Sequence, residues 1–214
     1  ESIKCHHNEI TNYLLENYYE KNDHESDFLI QCIKFYNFFD FPLNLKMNSE
    51  VFYHLCAYDY YQIVKLLLNE EQNGFDINFQ HLKKRIIWTD ELQSFFAYNP
   101  DRNVEKYYKE KNTPLIIAIK KGNLEIAEIL LQQSNIDLTI KFTSSFALYQ
   151  NGKDMGYYNG MESKTILFLA AEKGYWEIIQ HLINEKDIDV NEINTINDLN
   201  NNIKLTALHI TISN

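Results

Sequence analysis

Between residues 113 and 131 the chain reads TPLIIAIKKGNLEIAEILL, with apolar side chains recurring every three or four residues and one break at Gly122. That spacing predicts two short amphipathic helices. Thr113 is placed to cap the first, and Pro114 falls at its first helical position, where a missing N–H costs nothing. Leu115, Ile117, Ala118 and Ile119 supply the apolar stripe, and Gly122 ends the helix where a left-handed residue is wanted. Asn123 opens a turn, after which Glu125, Ile126, Ile129, Leu130 and Leu131 make the second helix. Neither helix is long enough to stand alone in water. Each pair must therefore bury its face against another pair.

The chain supplies that other pair by repeating the phrase. Residues 165–183, TILFLAAEKGYWEIIQHLI, match the first stretch at Thr165, Leu167, Ala170, Lys173, Gly174, Glu177 and Ile178. A third start appears at Thr206-Ala207-Leu208-His209. Upstream, residues 50–78 keep the run Ile63-Val64-Lys65-Leu66-Leu67-Leu68 and close with Asp76-Ile77-Asn78. There Asp59 stands in for the helix-ending Gly, although Asp tolerates the left-handed conformation less well. Residues 3–16 and 26–41 carry similar apolar spacing in more worn form.

The full pattern is Thr-Pro-Leu-x-x-Ala, a Gly, Glu-Ile-x-x-x-Leu-Leu and a closing Asp-Leu or Asp-Val-Asn. It resembles the ankyrin repeat. Thr113, Pro114, Leu115, Ala118, Gly122, Glu125, Ile126, Leu130, Leu131, Asp137 and Leu138 carry one copy. Thr165 through Ile183, with Asp189-Val190-Asn191, carry another. The worn N-terminal copies and the Asn-, Ile- and Tyr-rich composition also resemble the large ankyrin families of AT-rich unicellular eukaryotes. The resemblance implies an all-α solenoid of helix-turn-helix repeats with short β-hairpin fingers. Its expected parts are degenerate ankyrin-like helix pairs in 1–49, repeats at 50–78, 113–140 and 165–191, and the start of a further repeat at 206–214. With repeat-like segments at both ends, the chain reads as a fragment of a longer array.

Repeat starts at 50, 113, 165 and 206 are spaced wider than the ~33 residues of an uninterrupted ankyrin array. The excess follows each Asp-x-Asn signature, where the finger belongs. Residues 79–112 and 141–164 are thus finger insertions, and 192–205 is a finger loop. The first is too apolar for a loose loop and reads as a short helix or an extended hairpin. The second reads as two strands about a turn near Asn151-Gly152. The third, with Asn200, Asn201 and Asn202, reads as a mobile loop.

Composition narrows the functional classes. The chain has 214 residues, 45% of them hydrophobic, so it can bury a core and is not disordered. A net charge of -10 argues against nucleic acid and anionic membranes as partners. No apolar run reaches the roughly 20 residues of a membrane-spanning helix. Cys5, Cys32 and Cys56 lie far apart in apolar segments, which reads as free thiols in a cytoplasmic, or alternatively nuclear, compartment.

Chemical motifs are scarce. Cys5-His6-His7 has no second ligand pair at zinc spacing. Asp187-Ile188-Asp189-Val190-Asn191 starts like a calcium loop but has Glu192 where the Gly belongs and Asp198 where the bidentate Glu belongs. Residues 151–156 lack phosphate-loop spacing and read as a turn. His209 occupies the repeat position whose ring ties backbone groups together. No catalytic, cofactor or metal site is read, and the chain is expected not to be an enzyme.

In the ankyrin family a partner protein meets finger tips and exposed positions late in the first helix of each repeat. Carried over, those positions are Ala57 and Tyr58, Lys120 and Lys121, and Glu172 and Lys173. Lys111, Asn112 and Lys164 precede the helices, and Tyr60 and Tyr175 lie at the turns. The lysines can alternatively serve only the helix-end dipole. The function expected is a non-catalytic protein-interaction scaffold whose partner has an acidic surface. A structural or self-assembling role, with contact through the 79–112 insertion, is the alternative.

Overall fold

A computed structural model of the chain describes residues 25–36, 48–69, 74–88, 104–150, 153–186, 188–198 and 201–213. The chain divides into two compact units, residues 1–79 with 117–136, and residues 80–116 with 137–214.

The first unit contains α1 (Glu25–Lys34), α2 (Ser49–Ala57), α3 (Tyr61–Leu68), the later residues of α4 (Pro114–Lys121), and α5 (Leu124–Leu131). Asn48 caps α2, its side chain accepting from the Val51 N–H at 2.9 Å. Asp59 sits at φ 64 between α2 and α3, so an L-residue holds the left-handed position that Gly122, at φ 81, holds after α4. Helix α1 packs on α2, and α3 on α5. Leu29, Ile33, Val51, Phe52, Leu55, Val64, Ile119, Ile126, Leu130 and Leu131 are buried. Phe52 stacks on Phe75, with ring centroids 4.0 Å apart. Each buried aliphatic side chain contributes roughly 1.5–3 kcal/mol. That gain is what stabilises helices too short to form alone.

The second unit holds a six-stranded antiparallel sheet in simple sequential order. Its strands are β1 (His81–Trp88), β2 (Val104–Asn112), β3 (Phe142–Gln150), β4 (Lys153–Lys164), β5 (Asn194–Asp198) and β6 (Asn201–Leu205). The same unit holds α6 (Ile166–Lys173), α7 (Trp176–Lys186) and α8 (Ala207–Ser213), with α8 packed on α6. Thr165 caps α6 by accepting from the Phe168 N–H at 3.1 Å, and Gly174 ends it at φ 72. Thr113 likewise accepts from the Ile116 N–H at 3.2 Å.

The sheet corrects the all-α expectation. Eight helices and six strands are present among the described residues, so the chain is not plainly all-α. The fingers are not short either: β3 has 9 residues and β4 has 12. The insertions supply enough chain for long hairpins, and each hairpin pairs with the next. Of segment 79–112, residues 81–88 and 104–112 form the antiparallel pair β1 and β2, residues 89–103 lying outside the described ones, while the stretch expected to be a mobile loop forms β5 and β6. Asn201 and Asn202 pair across the last hairpin with Asp198 and Asn197, whereas Asn200 lies outside the described residues.

Alternation along the strands gives the sheet two unlike faces. Asn112, Phe142, Ser144, Lys164 and Asn194 lie on one face and are buried. A row on the other face crosses all six strands as Leu82, Lys111, Thr143, Ser163, Thr195 and Lys204, each paired with the next.

Candidate functional site

The positions at which a partner is expected fall into three local settings, which differ in what the side chains are doing. In the first unit, Tyr58 is the C-cap of α2 and Tyr60 the N-cap of α3. Both are half-buried. The Tyr60 hydroxyl donates to the Ile33 carbonyl oxygen at 3.0 Å, and its ring lies 5.5 Å from Tyr36. Burial, then the neighbouring Tyr36, pushes both phenols up; for Tyr60, Cys32 adds to it. Both rings are therefore neutral hydrogen-bonding surfaces at physiological pH. Tyr60 is also a strut between α1 and the start of α3, and Ala57, just before the turn, is half-buried.

The end of α4 carries Lys120, half-buried, and Lys121, exposed. Cations there favour the negative end of the helix dipole. Gly122 closes the helix with its N–H on the Ile119 carbonyl. Asn123 then reaches back, its side chain donating to the Cys56 carbonyl at 2.8 Å.

In the second unit the same positions are less accessible. Lys164 is only 8% exposed; its ammonium lies 3.0 Å from the Glu172 carboxylate and 5.9 Å from the Phe168 ring centroid. The structure thus brings two of the expected contact residues together as an ion pair, and uses them within the fold. Asn112 is 1% exposed, and neither the oxygen nor the nitrogen of its side-chain amide has a hydrogen-bond partner among the described residues. Lys111 and Lys173 are exposed, and Tyr175 is half-buried with its N–H on the Ala170 carbonyl. Of the eleven residues, Lys111, Lys121 and Lys173 are exposed in the described structure, while Asn112 and Lys164 are buried.

The Asp-x-Asn signatures have a plain structural use. Asp76 accepts from the Asn78 N–H, Asp189 from the Asn191 N–H, and Asp137 from the Thr139 N–H and hydroxyl. Each Asp closes its own turn, as Asx-turns do. Asp187 lies outside the described residues, as do Cys5, His6 and His7. The His209 ring nitrogen sits 2.7 Å from the Thr206 hydroxyl and accepts from the Thr206 N–H, so it braces the turn into α8.

Reading by repeat position finds the helix-end lysines but not Lys84, Lys109 and Lys204, which belong to the hairpins. Alternating lysines at 109 and 111 were the available signal, since residues two apart on a strand share a face.

Comparison with known families accounts for this arrangement. A family model described as ankyrin repeats in three copies matches residues 1–142, and a single ankyrin-repeat model matches residues 163–195. Among curated proteins none matches the chain. The helix pairs capped by Thr113 and Thr165, their left-handed glycines and the hairpins between them are what those matches predict: the chain belongs to the ankyrin-repeat family.

Proposed function

We propose that this chain is a non-catalytic protein-interaction scaffold. Ankyrin repeats in general mediate protein–protein contacts. The observation that carries the reading here is the form of the insertions. Where the family places contact residues, this chain builds hairpins with strands of up to 12 residues, paired into one continuous sheet. Ordered strands present side chains at fixed spacing, which lowers the entropy lost on binding. Lys111, Lys121 and Lys173 add exposed positive charge to a chain of net charge -10, which suits a protein with an acidic surface. Tyr58, Tyr60 and Tyr175 supply half-buried aromatic surface beside the turns.

Two further features fit the reading. Cys32 and Cys56 are buried thiols, as suits a reducing cytoplasmic or nuclear compartment. Among the described residues no helix is long and apolar enough to cross a membrane.

Affinity capture from lysate tests the reading, comparing the native chain with a variant carrying Lys120→Glu, Lys121→Glu and Lys173→Glu. Circular dichroism first establishes that both are folded. Specific capture of a protein by the native chain, lost with the variant, supports a scaffold that binds through the helix ends. Equal capture moves the contact to the fingers. If the native chain captures nothing but itself, a self-assembling role replaces the proposal.

A further inference from the structure

The exposed face of the six-stranded sheet concentrates lysine. Lys84 lies directly opposite Lys109, and Lys111 follows two residues along the same strand, opposite Leu82. All three are exposed, as is Lys204 at the far end of the row that crosses the sheet. Between Lys111 and Lys204 that row consists of the half-buried Thr143, Ser163 and Thr195.

Among the described side chains of the strands, the two carboxylates are kept off this area. Glu110 and Glu162 sit on the opposite face, where Glu162 accepts from the Ser144 hydroxyl at 2.9 Å. The ion pairs Lys141–Glu192 and Lys164–Glu172 involve none of these four lysines. Like charges placed directly opposite on neighbouring strands destabilise a sheet. A folded chain of net charge -10 therefore holds the opposed Lys84 and Lys109 at a cost.

We propose that this face, Lys84, Lys109, Lys111 and Lys204 with the hydroxyl row between them, binds an acidic extended polypeptide segment lying across the strands. The proposal rests on the protein-binding reading above and names its partner chemistry and its site. From β2 to β6 the span is four strand spacings, about 19 Å at roughly 4.8 Å each. An extended segment of about six residues covers that distance. Asp or Glu side chains at one end meet the Lys84/Lys109/Lys111 cluster and relieve its repulsion, and one at the other end meets Lys204. The threonine and serine hydroxyls hydrogen-bond the carboxylates and carbonyls between. Polyphosphate backbones are the poorer match, because only four lysines face a strongly acidic remainder that repels a continuous line of charge.

The test uses the full chain with a fluorescein-labelled oligo-glutamate peptide, read by fluorescence anisotropy. Three proteins are compared: native; Lys84→Gln, Lys109→Gln, Lys111→Gln and Lys204→Gln together; and, as a control of lysines on α1, α3 and α7, Lys34→Gln, Lys65→Gln and Lys186→Gln together. Exposed ion pairs are each worth a few-fold in affinity, so the sheet variant is expected to bind roughly tenfold or more weakly. The control variant should bind like native, and added salt should weaken the native complex. No binding by the native chain, equal binding by the sheet variant, or preference for a single-stranded oligonucleotide over the peptide each overturns the proposal. Lysate capture separates the two levels. A partner protein held equally by native chain and sheet variant leaves the scaffold intact and removes this site, whereas no partner at all removes the scaffold.

Discussion

The side-chain amide of Asn123 donates to the carbonyl oxygen of Cys56 across 2.8 Å, joining the helix turn of one repeat to a buried helix end 67 residues earlier in the chain. Cys56 is fully buried, so its carbonyl has no water to turn to if the amide is removed. Leaving a buried acceptor unsatisfied costs about 1–3 kcal/mol. Asn123→Ala is therefore expected to lower stability by about 1 kcal/mol, read as a drop in the thermal or urea midpoint. Asn123→Asp should cost more, because a carboxylate would face the carbonyl with no proton to give. Equal stability of all three proteins would show that the bond contributes nothing.

The left-handed positions after α2 and α6 make an opposite pair of predictions. Asp59 holds φ 64 where the family pattern has Gly, and Gly174 holds φ 72. An L-residue in that region costs roughly 1–2 kcal/mol. Asp59→Gly should accordingly raise stability by about 0.5–1 kcal/mol, offset in part by the greater freedom of Gly in the unfolded chain. Gly174→Ala should lower it by about 1 kcal/mol. A Cβ added at Gly174 meets nothing within 4 Å, so the cost there is backbone strain alone. Chemical denaturation measures both, and a loss on Asp59→Gly would mean that the aspartate side chain has a stabilising role of its own.

Those turns were legible in the sequence because their demands are local: Thr113 and Thr165 cap helices, and Gly122 and Gly174 end them, within a few residues of the pattern that predicts them. The fate of Lys164 and Asn112 was not legible. Both lie at strand ends, where a one-residue change of register moves a side chain to the other face. For Lys164 the register of β3 with β4 passes through irregularities between Ser144 and Phe146 and between Ala147 and Tyr149. The pairing of Lys84 with Lys109 likewise depends on how a long hairpin closes, and no short-range spacing encodes it.

The Lys164–Glu172 pair behaves as a partly buried salt bridge, with lysine buried and glutamate half-exposed. Removing the carboxylate strands a buried cation, whereas removing the cation leaves a glutamate that water can still reach. Glu172→Gln is therefore expected to destabilise more than Lys164→Met, by about 1–2 kcal/mol against under about 1, since partial exposure screens the pair. Thermal melts of the two variants and their combination close a double-mutant cycle. The reverse order would place the stabilising role in the contact of the Lys164 stem with Phe168.

Cys56 offers a chemical readout of the first unit. Burial pushes its thiol well above the ordinary cysteine range, so the thiolate that reacts with alkylating agents is nearly absent in the folded chain. Iodoacetamide labelling resolved by peptide mass spectrometry should modify Cys56 only as fast as the chain unfolds, with its rate rising in parallel with denaturant-induced unfolding. Rapid modification under native conditions would show that α2 opens locally without global unfolding.

Asp137 supplies the pH dependence. The Thr139 hydroxyl, 2.7 Å from its carboxylate, lowers its pKa most; the Thr139 N–H at 2.9 Å adds to that, and slight burial opposes both. A carboxyl whose folded pKa lies below its unfolded value binds fewer protons when folded. Its contribution to stability is thus fully present above the ordinary aspartate pKa of about 3.9 and is lost as pH falls through the lowered folded value. Thr139→Val removes the larger of the two hydrogen bonds and keeps the backbone one. Asp137, followed by NMR through its side-chain carboxyl carbon, should then titrate at higher pH than in the native chain, while remaining below the ordinary range. The acid limb of the stability curve should steepen less below pH of about 4 in the variant. An unchanged Asp137 titration would mean that the backbone N–H alone holds the turn.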